Sequence, residues 1–206
     1  MQTQFLLIAL GATLFGTQAG SAQDNDEKKF FADLGYSRVG HDLPVFGTIE
    51  PEPEYGGISG HAGYSFSKYW SVEGEAIIGV ENDKQVFRSF SGTSWSVANV
   101  KTELNHLIGA YAKGTIPITS KLNASARLGL AQAEIGYSGQ TVVTAWETEE
   151  TTTYDYKNSP TQTGAAIGIG LSYDVTNRIY LRGDYTQYDL TDDELESASV
   201  SVGLRF

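Results

Sequence analysis

Apolar side chains occupy every second position in one segment of this chain after another, and this alternation constrains the fold more than any other feature. Within residues 30–39 the apolar positions hold Ala32, Leu34 and Tyr36, and the positions between them hold Asp33, Gly35 and Ser37. Successive side chains of a β-strand point to opposite faces of the sheet. The pattern therefore predicts a strand with one apolar face and one polar face.

The same alternation predicts eight strands in all. They lie within residues 30–39, 56–66, 72–80, 102–115, 121–134, 165–174, 181–186 and 198–206. The fourth is the least clean, because residues 107–111 do not settle which of its faces is apolar. Strands of roughly ten residues have the length that a tilted strand needs to cross a bilayer.

The connections between these strands alternate in length. Those after strands two, four and six are short, and those after strands one, three, five and seven are long and rich in Gly, Ser, Thr and acidic residues. Transmembrane barrels have short periplasmic turns and longer external loops. We therefore predict an all-β fold, an eight-stranded antiparallel up-and-down transmembrane β-barrel. A soluble lipocalin-like barrel is the alternative, but its apolar face points inward and it lacks this rhythm.

The N-terminus indicates export. Residues 5–15 are apolar but too few to span a bilayer as a helix, and Gly20, Ser21 and Ala22 are small residues that suit cleavage before Gln23. We predict a signal peptide over residues 1–22, although it contains no Lys or Arg, and a barrel domain over residues 23–206. A buried N-terminal helix is the alternative. No later run of about 18 apolar residues predicts a membrane-spanning helix, so the expected location is the outer membrane of a Gram-negative cell.

Charge and cysteine content exclude several classes of function. The net charge is −11 and no basic stretch occurs, so nucleic acid is not an expected partner. The chain has no cysteine, which excludes disulfides and thiolate metal sites. We expect no cofactor.

The polar faces of the predicted strands carry charges of both signs. They hold Glu73, Glu75, Arg127, Arg182, Asp184 and Arg205. An eight-stranded barrel is only just wide enough for side chains to fill it, and Gly and Ser on the same faces leave room for long side chains. We predict a lumen charge network of these six residues. Aromatic residues near the strand ends, including Tyr36, Tyr55 and Tyr185 toward the long loops, are expected to form interfacial girdles.

Three segments carry a resemblance to a known family. They are residues 69–75 (Tyr-Trp-Ser-Val-Glu-Gly-Glu), 181–185 (Leu-Arg-Gly-Asp-Tyr) and 200–206 (Val-Ser-Val-Gly-Leu-Arg-Phe). Together with the alternation, they make the chain resemble the OmpA-type transmembrane domain and the OmpX and Opa-like small outer-membrane barrels, over nearly its whole length after residue 22.

The resemblance implies partners. In such proteins a terminal aromatic residue, with apolar residues at alternate positions before it, resembles the signal that the barrel assembly machinery reads. That signal here is Val202, Leu204 and Phe206. The surrounding outer-membrane lipid and lipopolysaccharide are the other implied partners. OmpA itself continues into a peptidoglycan-binding domain, whereas this chain stops at the last strand, so peptidoglycan binding is not expected.

Catalysis is the weakest functional hypothesis. The three histidines are His41, His61 and His106, and none forms the His-x-Ser pair of lipid A deacylase barrels. Ser59, His61 and either Glu73 or Glu75 could supply a nucleophile, a base and an orienting acid. A histidine within a polar lumen network explains the same residues more simply. We therefore predict no catalytic residues and no metal site.

The long connections are acidic. Their carboxylates are Asp42, Glu50, Glu52 and Glu54 in the first, Glu147, Glu149, Glu150 and Asp155 in the third, and Asp189, Asp192, Asp193, Glu194 and Glu196 in the fourth. Such clusters could hold Ca²⁺ or meet a basic partner, but no EF-hand spacing occurs, and a solvated rim is the simpler interpretation.

The third connection also contains strand-forming residues between Thr144 and Tyr156, so it could extend the barrel as a hairpin and bind an extracellular ligand by strand addition. We predict a structural or surface-interaction protein, with a narrow porin-like channel for ions or small solutes as the alternative.

Overall fold

The alternating segments form antiparallel strands in the computed structural model, which describes residues 30–40, 54–145, 148, 150–191 and 193–206. Ten strands are present in this part of the chain. They are β1 (Phe30–Gly40), β2 (Glu54–Ser65), β3 (Trp70–Gly79), β4 (Asn82–Ser91), β5 (Ser94–Pro117), β6 (Leu122–Ala145), β7 (Thr151–Asn158), β8 (Thr161–Asp174), β9 (Ile179–Leu190) and β10 (Glu194–Arg205).

Eight of these strands close into a ring, in the order β1-β2-β3-β5-β6-β8-β9-β10 and back to β1. The seam places Leu34 opposite Val202. Beside it, the backbone N–H of Phe30 donates to the oxygen of Phe206 at 3.0 Å, and that of Phe206 donates to the oxygen of Phe30 at 2.9 Å. Closure leaves no free edge in the ring, and it confirms the predicted eight-stranded, antiparallel up-and-down architecture.

Two strands lie outside the ring and correct the expectation of eight strands joined by loops. β4 pairs with residues 94–103 of β5, and β7 pairs with residues 137–144 of β6, so a four-stranded sheet extends beyond one end of the barrel. We call it the projecting sheet: β4, residues 94–103 of β5, residues 136–145 of β6, and β7. Its strands extend beyond the ring, so its faces do not have to divide lipid from lumen, and the sequence shows no clear alternation there. The strand in the third connection agrees with the predicted hairpin.

A bulge in β5 explains why the fourth predicted strand was ambiguous. The pairing between β5 and β6 shifts register between Leu104 and His106. One extra residue reverses the inward and outward positions on either side of the bulge. Leu104 and Leu107, three positions apart, are therefore both buried.

The outer surface of the ring is a belt of exposed aliphatic side chains. Leu34 is 67% exposed, Leu130 66% and Val200 67%. In water such a belt would be strongly unfavourable, whereas lipid-facing positions of a transmembrane barrel require it. Among the described residues there is no helix long and apolar enough to cross a membrane.

The inside of the ring also contains an apolar cluster, toward the end that bears the projecting sheet. Its buried members are Val39, Tyr55, Ile77, Leu104, Leu107, Tyr111, Ala131, Ala133, Ile135, Ala166, Tyr188, Leu190 and Leu195. Tyr55 is only 1% exposed and points inward. The expected role of Tyr55 in an outer aromatic girdle is therefore wrong, since the even-numbered neighbours in β2 face outward.

Candidate functional site

A buried network of charged and polar side chains crosses the lumen between the apolar cluster and the end with the short connections. Its charged members lie on β1, β2, β3, β5, β6 and β9, six of the eight strands of the ring. They are Asp33, His61, Glu73, Glu75, Lys113, Arg127, Arg182 and Asp184. All of them project from the inward-facing positions that alternate with the outer belt.

Glu73 on β3 is the centre of this network. Arg182 of β9 donates to its two carboxylate oxygens at 2.6 and 2.7 Å. Arg127 of β6 donates to Glu73 at 3.0 Å, and Lys113 of β5 at 2.9 Å. Three cations thus surround one buried carboxylate, an arrangement that compensates the cost of removing these charges from water.

Glu75, two residues further along β3, accepts hydrogen bonds from a second set of groups. Arg127 donates to Glu75 at 3.0 Å, and the Tyr111 and Tyr188 hydroxyls donate at 2.6 and 3.2 Å. The Arg127 guanidinium carbon also lies 4.5 Å from the centre of the Tyr111 ring. These tyrosines belong to the apolar cluster as well, so they join the ionic and apolar parts of the lumen.

Asp33 and His61 complete the network on β1 and β2. The two ring nitrogens of His61 lie 2.6 Å from Asp33 and 3.0 Å from Glu75. Asp33 also accepts from the Tyr180 hydroxyl at 2.9 Å and from Arg182 at 3.3 Å. A His61 ring with hydrogen on both nitrogens satisfies both carboxylates, and its charge then balances four carboxylates against four cations.

Glycine on β8 provides the space for Arg127 and its partners. A Cβ atom at Gly168 would lie 2.9 Å from Arg127 Nε and 2.7 Å from Thr186 Oγ1. These separations are shorter than van der Waals contact, so only glycine fits without displacing the network. Arg127 Nε donates to the Thr186 hydroxyl at 3.2 Å.

The structure brings five of the six residues predicted for the lumen network together and places the sixth apart. Glu73, Glu75, Arg127, Arg182 and Asp184 are joined by the contacts above and by an ion pair between Arg182 Nε and Asp184. Arg205 instead pairs with Asp174 near the short-connection end, where the two side chains are 27% and 26% exposed.

The six-residue network predicted from the sequence did not include Asp33 or Lys113, whereas His61 was interpreted as a lumen histidine outside that set. Asp33 alternates with apolar neighbours and could have been included by that criterion. Lys113 could not, because the strand that holds it contains the bulge and its inward face was not identifiable. The apolar cluster was also missed, although Val39, Tyr55 and Ile77 all lie on polar faces, each near the end of its strand that leads into or out of a long connection.

The side chains considered for catalysis do not form a nucleophile and base pair. Both His61 nitrogens face carboxylates, which leaves neither for the hydroxyl of Ser59. Within the described residues no group of three or more His, Asp or Glu side chains is placed to hold a metal ion. His41, Asp42, Glu50, Glu52, Glu147, Glu149 and Asp192 lie outside the described residues, as does the predicted signal peptide.

The ring, the lipid-facing belt and the filled lumen agree with one family. A sequence model of the outer membrane protein beta-barrel domain matches residues 7–206. The chain belongs to the outer membrane beta-barrel domain family. As a member of that family it is a protein of the cell outer membrane, and the strands of its ring are transmembrane strands. No curated protein matches this chain.

Solved structures of small outer-membrane barrels are similar to this chain, and the first of them below shares its fold. The N-terminal barrel domain of OprF from Pseudomonas aeruginosa is 13% identical and has a TM-score of 0.53, covering 87% of this chain and 98% of that chain. Ail, the attachment invasion locus protein of Yersinia pestis, is 16% identical with a TM-score of 0.48, covering 87% and 99%. Neisserial surface protein A is 15% identical with a TM-score of 0.49, covering 86% and 97%.

Proposed function

We propose that this outer-membrane barrel is a structural and surface-interaction protein whose lumen serves as a rigid scaffold rather than as a path for solutes. One observation carries the proposal: the lumen is crossed by two successive layers, an ion-pair network and an apolar cluster. The membrane-spanning wall thereby supports the projecting sheet, which is the part of the described chain most accessible to partners.

The apolar cluster is the stronger argument against conduction. Ile77 and Leu107 are fully buried, and Leu104 and Ile135 pack with them at the end of the lumen next to the projecting sheet. Ions cross a pore either by keeping their hydration shells or by exchanging the shell for polar groups of the protein. A layer of packed aliphatic and aromatic side chains offers neither water nor polar ligands, so it blocks passage of ions through the lumen.

The projecting sheet supplies surfaces for interaction. Among the described residues, β4 and β7 are the two strands with a neighbour on one side only. Every residue of β7 is exposed, and its sequence is rich in Thr and Tyr, which favour strands. An extended segment of a partner can add to such an edge through main-chain hydrogen bonds. Strand addition to β7 is therefore the mode of interaction that we propose for an extracellular ligand.

Other proposed partners contact the barrel elsewhere. Outer-membrane lipid covers the exposed aliphatic belt, and the barrel assembly machinery reads the alternating residues Val202, Leu204 and Phe206. All three of these side chains are exposed on the outer surface of the ring, at the seam strand β10. The predicted signal peptide over residues 1–22 directs export of the chain.

Planar-bilayer conductance of the refolded protein tests the closed lumen. A difference in gel mobility between boiled and unboiled samples verifies that folded barrels entered the bilayer. We expect folded protein without steady conductance steps. Reproducible steps of one size would contradict the proposal and favour the narrow channel, with Glu73 and Arg127 lining its constriction.

Replacement of residues 146–159 by a Gly-Ser segment of the same length tests the role of β7, because the segment must span the roughly 33 Å between the end of β6 and the start of β8. The folded ring should form as before, because β6 and β8 pair with each other independently of β7. If the intact barrel binds a cell or protein partner and the variant without β7 does not, strand addition to β7 is supported. Equal retention by both forms would remove β7 from the proposal.

A further inference from the structure

The outward face of the projecting sheet can be assigned from the positions of its neighbours. Tyr137 packs against the apolar cluster inside the barrel, and this burial together with nearby Asp193 raises the pKa of its phenol. The next residue, Ser138, must point to the opposite, outward side. Lys101 and Lys157 lie opposite Ser138 on β5 and β7, so their side chains share this face.

Three lysines form a straight row across this face. Lys84 on β4 lies opposite Lys101, which continues the row Lys84, Lys101, Ser138 and Lys157 over four neighbouring strands. Strands are about 4.8 Å apart, so the row is roughly 14 Å wide. Arg88, four residues from Lys84 on β4, lies on the same face. In a chain with a net charge of −11, this concentration of cations is a local reversal of sign.

A shallow depression of about 460 Å³ lies along the row. Its lining includes Lys84 and Lys101 and, in the adjacent row, Asn99 and Gln140. Amide side chains can donate and accept hydrogen bonds, which suits the hydroxyl groups of sugars. Further toward the tip, Phe90 lies opposite Trp95 on the same face, and both rings are exposed. Aromatic rings of this kind stack on the C–H faces of sugar rings.

Two carboxylates also lie on this face, and they decide how many of its cations are available for an anionic ligand. Glu103 forms an ion pair with Lys101. Asp155, at the β7 side of the depression, accepts a hydrogen bond from the Gln140 amide at 2.9 Å. Lys84 and Lys157 have no ion-pair partner within the described residues, so two cations remain available for an anionic ligand.

We propose that this face binds the phosphorylated saccharide of the lipopolysaccharide that surrounds the barrel. The inference rests on the proposed surface-interaction role and names the ligand for one face of the projecting sheet. Lysine ammonium groups form charge-assisted hydrogen bonds with phosphate, and the amides and aromatic rings contact the sugars.

The position of this face favours the membrane-anchored lipid, rather than a soluble glycan, as its ligand. The outward face of β6 continues without interruption into the lipid-facing belt at Leu130, eight residues before Ser138. At about 3.3 Å per residue and a strand tilt of about 40°, the lysine row lies roughly 20 Å beyond the edge of the belt. The saccharide of a lipid anchored against the belt extends through this region, whereas a ligand above the barrel mouth would meet the opposite face.

Affinity for purified lipopolysaccharide with a phosphorylated core tests the proposal. The full barrel is refolded in detergent, and fluorescence anisotropy of the labelled lipid is measured at low ionic strength. We expect the Lys84→Gln/Lys101→Gln double variant to bind at least fivefold more weakly and Lys157→Gln to bind more weakly too. Asp155→Asn should bind more tightly, since it removes a negative charge beside the phosphate.

A matched double variant controls for net charge. Lys68→Gln/Lys121→Gln removes two exposed lysines at the short-connection end and should bind like the unmodified barrel. Phosphatase treatment of the lipid should weaken binding to the unmodified barrel and erase the difference between it and Lys84→Gln/Lys101→Gln. The difference in gel mobility between boiled and unboiled samples shows that each variant is folded.

Three outcomes would overturn the proposal: equal binding by Lys84→Gln/Lys101→Gln and the unmodified barrel, equal binding of dephosphorylated lipid, or a preference for the released core saccharide over the intact lipid. The last outcome would identify a soluble glycan as the ligand. Conductance by the barrel would contradict the closed lumen and leave this measurement unchanged, so failures of the two proposals are distinguishable.

Discussion

Arg182 on β9 and Glu73 on β3 meet across the full width of the barrel, where two guanidinium nitrogens donate to two carboxylate oxygens at 2.6 and 2.7 Å. The two strands are four places apart in a ring of eight, so they are diametrically opposed. This pair ties together walls that share no backbone hydrogen bond. The charge network therefore joins opposite walls of the barrel, in addition to filling the lumen.

Removal of the Arg182 guanidinium should strongly destabilise the barrel. In Arg182→Met the carboxylates of Glu73, Asp33 and Asp184 lose a buried cationic partner, which typically costs about 3–5 kcal/mol. Urea unfolding of the refolded protein, followed by the gel shift, measures the change. Arg178→Met, in the exposed turn between β8 and β9, is the matched control and should change the free energy of unfolding by less than about 0.5 kcal/mol. Similar losses for the two variants would show that Arg182 does not hold the opposite walls together.

Arg205→Met should have a much smaller effect, although Arg205 was predicted to belong to the same network. Its ion pair with Asp174 is partly exposed to solvent, where such pairs contribute about 0–1 kcal/mol. The same urea titration provides the comparison with Arg182→Met. A loss as large as that of Arg182→Met would place Arg205 back in the central network.

Alanine at Gly168 should disturb the network without removing any charge. The added Cβ would lie 2.9 Å from Arg127 Nε, and overpacking of this kind typically costs about 1–3 kcal/mol. Gly183→Ala is the matched control, because its Cβ would point outward and approach protein no closer than 3.8 Å. Equal stability of the two variants in thermal unfolding would refute the close packing around Arg127.

Truncation of Phe206 should impair assembly in cells more than folding in detergent. The Phe206 and Phe30 rings stack with centroids 6.3 Å apart, a contact whose loss costs about 0.5–1.5 kcal/mol. If the barrel assembly machinery reads this residue, the amount of Phe206→Ala found folded in the outer membrane should fall several-fold, whereas its yield of refolding in vitro should change little. Phe66→Ala, which removes another exposed aromatic residue from a short turn, serves as the comparison. Proportional losses in the two assays would leave Phe206 with a purely structural role.

The alternation of apolar residues by itself determined the ring, because each strand separates lipid from lumen and the period of a strand is two. It assigned Leu34, Ile58 and Val200 to the outside, and it identified Glu73, Arg127 and Arg182 as inward-facing before any contact was known. The alternating lengths of the connections indicated a transmembrane rather than a soluble barrel.

Only the tertiary structure decided which inward residues meet. Arg182 and Glu73 are 109 positions apart in the chain, and their contact depends on the closure of the ring and on the stagger of its strands. The same closure sends Arg205 to Asp174 and gathers Ile77, Leu107 and Ile135 into one layer.

Of the projecting sheet, the sequence predicted only the hairpin in the third connection, and the rest could not be predicted for a different reason. Alternation is visible where one face of a strand meets lipid, and above the membrane both faces are free of that requirement. The lysine row shows the consequence: Lys84, Lys101 and Lys157 are scattered in the sequence, and strand pairing alone brings them to one line because antiparallel partners point to the same side.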